Sequence, residues 1–525
     1  MPLRGESTQN VSETRERLPL IPLKDNKMRI NGRKAGTKGA IAAMLLVGMA
    51  LCANLAIGQP PAKSSNDQQV PKRDRYLLLD ARVIERVEHA KLTVGAVRKD
   101  EHNPLFKEDK PWEPYISNLY GYVIYDEQDR LYKCWYNGFI ESKMETETPR
   151  EKRAWVTWSE SPRAAGVCYA VSKDGVHWEK PELGIIDFQG SKKNNIVLRA
   201  DHGFGMMKDP HETDPQKRYK AILPRTSRSS VWFSPDGLHW GEERRIAPID
   251  DGDTYNCVFW DPTLSKYVLF TRHWGGAKTS GRYGRRLGYR QVSRSESPDF
   301  VNWTPAEVVF KAPNPEQQQI HDMIVFRHAG VYVGLVGLWD MVADREHVEL
   351  AWSPDSITWK WIEPGKALIP NSRHIGDYDW GCIFAIPPIF KKDEILLYYG
   401  SNDNRFFGWR DTFLSLAHLR PDGFAGYEDF PGGTDITAAI TTTPVVAVTD
   451  SLCLSADVAL SGYVKVVLID EDNRKLAESE LIPKSVTDAS VQWKDGFSLA
   501  DRVGKKIQLR FELRDAKLYS FSFDD

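Results

Sequence analysis

Five acidic residues along the middle of the chain are candidates for chemistry that needs paired carboxyl groups. They are Glu113, Asp209, Asp253, Asp322 and Asp379. Cleavage of a glycosidic bond uses two carboxyl groups that face each other across the bond, one protonated as a general acid and one ionised as nucleophile or base. We therefore take these five residues as the candidate catalytic set for glycoside hydrolysis.

Aromatic and basic residues near the acids are candidates for holding a sugar, because rings stack on its apolar faces and basic groups bind its oxygens. The predicted substrate-binding residues are Trp112, His202, Arg272, His321 and Trp380. We predict no metal site and no cofactor. The alternative for the two histidines is a structural divalent ion held with neighbouring carboxylates. The alternative for Arg272 and residues 282–290 (RYGRRLGYR) is a site for the carboxylate or sulfate of an acidic sugar, although the stretch equally suits a solvated insertion.

Asp209 has two interpretations of equal weight. It is either one of the catalytic acids or, in Lys208-Asp209-Pro210, the acid of an ordinary Asp-Pro turn such as the one at Asp261. Asp214, five residues before Tyr219, fits the turn position better and would leave Asp209 closer to the strand.

A repeated hairpin indicates the elements that position these residues. The copies begin at Ser172, Ser234, Ser295 and Ser353, and a worn fifth copy begins at Ser415. Each intact copy has an Asp that accepts backbone N–H bonds, then Gly, Ser or Phe, then a Trp (Trp178, Trp240, Trp303 and Trp359) that closes over the turn. We interpret the hairpin Asp residues as structural.

Ahead of each hairpin stands a pair of short apolar strands rich in aromatic and β-branched residues, such as residues 121–126 and 131–136. A period of about sixty residues that holds four short strands is one blade, so five periods predict a five-bladed β-propeller over residues 76–427. The candidate acids precede the innermost strands, whose ends converge on the axis. Glu113, Asp253, Asp322 and Asp379 are therefore predicted to gather at one mouth of the channel.

The last part of the chain has a different pattern. Residues 431–525 contain alternating strands at intervals of about ten residues, as in residues 463–469 and 506–513. This spacing predicts an antiparallel β-sandwich. The predicted fold class is thus all-β, a propeller followed by a sandwich.

Composition limits the partners. The net charge of -2 gives no electrostatic basis for nucleic acid or an anionic membrane as the main partner, and the 17 Trp suit a carbohydrate partner. Six Cys occur without a Cys-x-x-Cys pair, which argues against zinc and a disulfide-rich scaffold. We expect the cysteines to be small buried residues, with a Cys134–Cys168 bridge as the alternative. The sequence does not decide the oligomeric state.

The N-terminal region indicates export. Residues 1–58 form a polar extension, with Met28 as an alternative start, and an apolar run at 40–57 that ends in small residues, so signal-peptide cleavage is predicted between Gly58 and Gln59. The alternative is an uncleaved anchor, since the run is just long enough to span a bilayer. Residues 59–75 are a polar linker. The expected location is secreted or periplasmic.

These motifs together resemble a known family. A five-bladed propeller with Ser-x-Asp-Gly-x-x-Trp hairpins, Pro111-Trp112-Glu113, the stretch from Glu179 to Gly184 and a C-terminal sandwich is similar to secreted bacterial proteins of the glycoside hydrolase family 32, 43 and 68 superfamily. The resemblance implies three axial carboxyl groups: an Asp nucleophile or base on blade one, an Asp in Arg-Asp-Pro and a Glu acid. Lys208-Asp209-Pro210 is the nearest counterpart of Arg-Asp-Pro. The alternatives are a non-catalytic glycan-binding propeller and a sialidase-like hydrolase, which would have six blades and an arginine triad.

Overall fold

The structure, a computed structural model, describes residues 73–149, 152, 163–250, 252–280, 286–430, 437–470 and 472–523. The predicted signal peptide and nearly all of the linker lie outside these residues. Within them, no helix has the length and apolar character needed to cross a membrane.

Five antiparallel sheets follow one another along the chain, as the repeats predict. Blade one comprises Gly121–Asp126, Leu131–Ser142, Arg163–Ser172 and Ile196–Arg199, with Trp178–Glu179 beside the third strand. Blade two comprises Gly205–Lys208, Tyr219–Leu223, Ser229–Ser234 and Arg244–Ile246. Blade three comprises Cys257–Asp261, Lys266–Ser280, Arg286–Ser297 and Glu307–Phe310, and blade four Gln318–His328, Val331–Asp340, Arg345–Ser353 and Lys360–Ile362. The predicted five-bladed propeller is confirmed. A sialidase-like fold would have six blades.

The fifth blade is completed by an early segment of the chain. Its own strands are Cys382–Ala385, Ile395–Asn402 and Thr412–Leu419, with Ile389–Phe390 beside the second. The outer edge is covered by Arg98–Lys99 and Phe106–Lys107, which pair with Thr412–Leu419. This pairing closes the ring and covers the hydrogen-bonding edge of the last blade.

The repeated hairpins have the predicted chemistry. In the first copy, Asp174 Oδ1 accepts the N–H groups of Val176 and His177, and Trp178 Nε1 donates to Gly175 O at 3.1 Å. The third copy begins at Ser297 and not at Ser295, because it is Ser297 Oγ that bonds the hairpin Asp, at 3.1 Å. The left-handed backbone position of the turns is taken by Gly175, Gly237, Phe300, Ser356 and, in the fifth blade, Asp422.

A second, larger sheet system forms the sandwich. Its long strands are Cys453–Ile469 and Lys506–Ser522, with Ala425–Asp429, Ala438–Thr442, Val445–Val446, Lys475–Glu478 and Val486–Ser490 around them. Arg75–Leu77, Ile84–Glu88 and Ala90–Val94 also join it, the first of them through the pair Tyr76↔Phe521. Residues 75–94 thus pair with the C-terminal strands, whereas the sequence-based boundaries place most of them in the propeller. Pairing over such a sequence distance leaves no local signal.

Helix is scarce in the described chain. One α-helix, Lys143–Glu147, and short 3-10 turns at Ala81–Val83, Pro215–Lys217, Lys494–Gly496 and Ala500–Arg502 are present. The five cysteines in the described residues are buried, and Cys134 and Cys168 do not form the alternative bridge with each other.

One buried carboxylate links the two domains. Asp422 is bonded by Arg75 Nη1 at 2.6 Å, by His328 Nε2 at 2.7 Å and by Ser520 Oγ at 2.7 Å. Burial acts to raise the pKa of Asp422, but the bond from His328 and the charge of Arg75 outweigh it and lower the pKa to about 2. The carboxylate is therefore held ionised between blade four and the sandwich.

Candidate functional site

Three buried polar side chains meet in blade four. His321 and Asp322 belong to its first strand and Glu346 to its third, and their exposed fractions are 3%, 4% and 0%. The pairing register shifts between Ile320 and Asp322, so His321 is an extra residue in the first strand. Such a bulge redirects side chains, and here His321 Nδ1 lies 3.3 Å from Glu346 Oε1 and 3.6 Å from Asp322 Oδ2.

A glycine makes room for the two carboxyl groups. Gly337 pairs with Asp322 across the first two strands of the blade. A Cβ atom at Gly337 would collide with Asp322 Oδ1 and lie 2.8 Å from Glu346 Oε1. A side chain at this position would therefore displace one of the acids.

Most polar atoms of this group have no hydrogen-bond partner. In the described part of the chain, a small set of buried side-chain nitrogen and oxygen atoms lack one. Eight of them lie around blade four: both carboxyl oxygens of Asp322 and of Glu346, Nδ1 of His321, Nε2 of His202, and Nε and Nη1 of Arg290. Buried polar atoms are nearly always hydrogen-bonded, and exceptions need an explanation. We call these five residues, together with Asp253, the central polar cluster.

Arginine side chains surround the cluster, and they differ in what they bond. Arg272 is buried and gives its donors to backbone oxygens, Nη1 to Asp253 O and Nη2 to His321 O at 2.8 Å. Arg410 Nη2 donates to Asn118 Oδ1 at 2.5 Å and its Nε to Asn402 Oδ1 at 3.1 Å. Arg272 and Arg410 thus stabilise the site through hydrogen bonds to protein oxygens, whereas Arg290 has donors without a partner.

His202 and Asp253 form the more open side of the cluster. His202 Nδ1 lies 3.5 Å from Asp253 Oδ1, and its ring stacks on Phe139 with the centroids 5.0 Å apart. Tyr120 connects the two sides, with its hydroxyl 3.4 Å from His321 Nε2 and its ring centroid 4.9 Å from that of His202. The Asp253 side chain is 41% exposed, so solvent or a ligand reaches it directly.

The surroundings push the acid pKa values apart. Burial raises the pKa of Asp322 to about 7 although Arg272 acts to lower it, and burial together with the charge of Asp322 raises the pKa of Glu346 well above its usual 4.5. Burial also acts to raise the pKa of Asp253, but the bond to His202 and the charges of His202, Arg272 and Arg225 outweigh it and lower the pKa. One site thus holds an acid that is protonated near neutral pH and one that is ionised.

The structure brings together Asp253, Asp322, His202, Arg272 and His321 among the candidate residues and places Glu113 and Asp379 elsewhere. Glu113 accepts from Tyr136 OH at 2.5 Å and pairs with Lys180 Nζ at 2.6 Å. Asp379 pairs with Lys99 Nζ at 2.5 Å and accepts from Tyr399 OH at 3.1 Å. Each of these two acids is buried among its own partners, so the predicted gathering of four acids at one mouth is limited to Asp253 and Asp322.

The two candidate tryptophans are sequence neighbours of Glu113 and Asp379. Trp112 Nε1 donates to Asn195 Oδ1 at 2.5 Å, and Trp380 is buried beneath the Arg345 guanidinium, 4.5 Å from its ring centroid. Both rings therefore pack against protein groups.

Asp209 occupies a structural position between blades. Its Oδ2 accepts from Tyr267 OH at 2.6 Å and pairs with Lys220 Nζ at 2.9 Å. Asp261 accepts from Tyr332 OH in the same way one blade further on. Of the two interpretations of Asp209, the geometry thus favours the turn acid that bonds a tyrosine of the next blade.

The cluster also includes the one group of described residues whose donor atoms could hold a metal ion. The ligand atoms of His321, Asp322 and Glu346 lie within 4.8 Å of one another. The charges of Arg272, Arg290 and Arg410 all act on Glu346, however, and they oppose a further positive charge. We therefore treat the three residues as hydrogen-bonding groups and not as metal ligands.

Glu346 and Tyr120 are site residues that sequence reasoning missed. It assigned the chemistry to residues that precede innermost strands, and Glu346 lies on the third strand of its blade. The sequence gives no clear signal for it, because Arg345–Ser353 mixes polar and apolar residues and contains a second Glu, Glu349.

Comparisons with known proteins give likenesses of fold. No protein-family model and no curated protein matches the chain. An N-acetylgalactosamine deacetylase from F. plautii, solved with blood group B trisaccharide, is similar at 14% identity and a TM-score of 0.36, covering 65% of this chain and 91% of that one. A glycoside hydrolase family 43 arabinoxylan arabinofuranohydrolase from Bacillus subtilis, solved with cellotetraose, is similar at 11% identity and a TM-score of 0.37. The match covers 82% of this chain and 99% of that one. The β-1,2-mannobiose phosphorylase from Listeria innocua, solved with β-1,2-mannobiose, is similar at 12% identity and a TM-score of 0.43. The match covers 62% of this chain and 96% of that one. At these identities the likeness concerns the fold alone, and function is argued from the site.

Proposed function

We propose that the protein is a carbohydrate-active enzyme that hydrolyses glycosidic bonds at the central polar cluster. The observation that supports this most is the concentration of eight buried polar atoms without partners in one place. A sugar carries several hydroxyl groups, each of which can donate and accept, so it can satisfy carboxyl, imidazole and guanidinium groups together. Export, as predicted for residues 1–58, would bring the protein to extracellular polysaccharides.

The proposed roles follow from the opposite pKa changes of two acids. Asp322, protonated near neutral pH, gives its proton to the oxygen of the leaving sugar as the C–O bond breaks. Asp253, ionised and accessible, either takes a proton from the attacking water or attacks the sugar carbon itself. Glu346 and Arg290 hold the sugar, and His202 orients Asp253.

A second candidate function is glycan binding without hydrolysis. The side chains of Asp322 and Glu346 are both 0% exposed. The cavity bordered by Asp322, His321 and Arg272 measures about 10 Å³, room for one water molecule. Hydrolysis therefore requires the mouth of the site to open, whereas binding at the His202 and Asp253 side does not.

The test is hydrolysis of a polysaccharide panel by the unmodified protein and three variants. We expect Asp253→Asn and Asp322→Asn each to lower the rate by about 10²–10⁴-fold, while both still bind the glycan in affinity electrophoresis. Asp201→Asn is the matched control, because Asp201 is an exposed acid next to His202 and should be dispensable. Glycan binding without hydrolysis in the unmodified protein would favour the second candidate, and full activity of both site variants would overturn the assignment.

A further inference from the structure

Arg290 stands apart from the other arginines of the site. Its Nε and Nη1 are buried and have no hydrogen-bond partner. Arg272 and Arg410, by contrast, direct their donors to protein oxygens. A guanidinium has five N–H donors and cannot accept, so its unpaired donors are available to the oxygen atoms of a ligand.

The position of Arg290 is fixed by aromatic rings. Its guanidinium carbon lies 4.6 Å from the ring centroid of Trp339, 5.3 Å from that of Trp274 and 5.5 Å from that of Phe406. Stacking on rings holds the planar group without using its N–H donors. The side chain is thus held in place with its donors available, and a ligand would not have to order it on binding.

A second positive charge lies on the same face of blade three. Trp274 pairs with Arg290 and Arg272 pairs with Val292 across the two central strands, so Arg272 and Arg290 are diagonal neighbours. The Arg272 guanidinium carbon is 5.4 Å from the ring centroid of Trp274, on which Arg290 also stacks. Burial and then the charge of Arg272 lower the pKa of Arg290 to about 9, although the charges of Glu346 and Asp253 act to raise it.

The facing acids are compatible with an anion. Burial raises the pKa of Asp322 to about 7 and that of Glu346 well above its usual value, which favours the protonated form of both groups. A protonated carboxyl group donates a hydrogen bond, so these groups can approach an anionic oxygen without repulsion.

We propose that Arg290 is the specificity-determining residue for an acidic sugar, whose carboxylate or sulfate accepts hydrogen bonds from the unpaired Nε and Nη1 of Arg290. This inference rests on the proposed carbohydrate function and adds the chemical class of the sugar. The contact would be a charge-assisted hydrogen bond, which is stronger than one between neutral groups. Arg272 would add charge without contact, since its donors are used within the chain.

The experiment compares acidic glycans with chemically neutralised copies of themselves. Affinity electrophoresis is run with a polyuronate and its carboxyl-reduced form, and with a sulfated polysaccharide and its desulfated form. Two variants accompany the unmodified protein: Arg290→Gln, and Arg345→Gln as the matched control, since Arg345 also stacks on a tryptophan but gives its Nε to Trp380 O at 2.8 Å. Inorganic phosphate is added as a competitor to test whether a free anion suffices.

We expect the unmodified protein and Arg345→Gln to bind one acidic glycan at least tenfold more tightly than its neutral form. Arg290→Gln should bind the acidic form no more tightly than the neutral one. A preference for the acidic form that survives in Arg290→Gln, or no preference in the unmodified protein, would overturn the inference and leave the proposed function intact. If phosphate binds tightly but displaces no glycan, the site is one for a free anion, and the inference is likewise overturned. Failure to bind any glycan, acidic or neutral, would overturn the proposed function as well.

Discussion

Replacing Asp322 by Asn should make the protein more stable at neutral and alkaline pH while it removes activity. The pKa of Asp322 is about 7 in the fold, against an ordinary 3.8. At 1.36 kcal/mol per pKa unit, this difference corresponds to about 4 kcal/mol of unfolding free energy. The cost arises because Asp322 ionises inside a buried cluster that supplies no hydrogen-bond donor to it.

The sign follows from proton linkage. Below pH 3.8 the carboxyl group is protonated in both states and contributes no pH-dependent term. Between pH 3.8 and 7 the unfolded chain loses the proton and the folded one keeps it, so the stability of the unmodified protein falls as pH rises. Above pH 7 the full cost is present. Asp322→Asn has no such dependence, and its amide can also donate to Glu346.

The assay is urea unfolding followed by tryptophan fluorescence at pH 4, 6 and 8. We expect the variant to match the unmodified protein at pH 4 and to exceed it by up to about 4 kcal/mol at pH 8. A variant that is less stable at pH 8 would show that ionised Asp322 stabilises the fold, for example by binding a cation, and would refute the reasoning.

Two further predictions concern the domain link and the metal question. Asp422→Asn should lower stability at pH 7 by about 2 kcal/mol, because its pKa of about 2 makes it a stabilising carboxylate whose contribution is present above pH 3.8 and lost as pH falls through about 2. Asp488→Asn breaks the bond of a 42% exposed carboxylate to the same Arg75, and it should change stability by less than about 1 kcal/mol. Equal losses of stability for Asp422→Asn and Asp488→Asn in urea titrations would contradict this difference. Millimolar calcium or a chelator should leave the melting temperature unchanged, because three guanidinium groups flank the cluster; a rise with calcium that Glu346→Gln abolishes would identify an ion site instead.

The propeller could be predicted from the sequence because its signal is local. The turn from Ser172 to Trp178 is held by bonds between residues two or three positions apart. The bonds from the backbone to the hairpin Asp recur in blades two, three and four. The sandwich strands at residues 75–94 could not be predicted, because Arg75 pairs with Ser522 and no local pattern records such a partner. The residue patterns of turns thus predict which neighbouring strands are joined, but not which distant segments pair.

The site could be predicted in part for a related reason. Asp253, Asp322, His202 and His321 were found because they precede or begin the innermost strands. Glu113 and Asp379 satisfy the same rule, yet each is neutralised by a lysine, Lys180 or Lys99, that the rule does not consider. Glu346 lies on the third strand of its blade, which the rule does not consider, and the basic stretch at 282–290 does not single out Arg290 from its neighbouring arginines.

The most direct test of the central claim is the dependence of hydrolysis on the leaving group. For the sugar that the panel identifies, kcat/KM is measured on its methyl glycoside and on its dinitrophenyl glycoside, whose leaving group departs without a proton. If Asp322 is the general acid, Asp322→Asn should lose about 10²–10⁴-fold on the methyl glycoside and stay within about tenfold of the unmodified protein on the dinitrophenyl glycoside. Equal losses on both substrates, or no loss on either, would contradict the account.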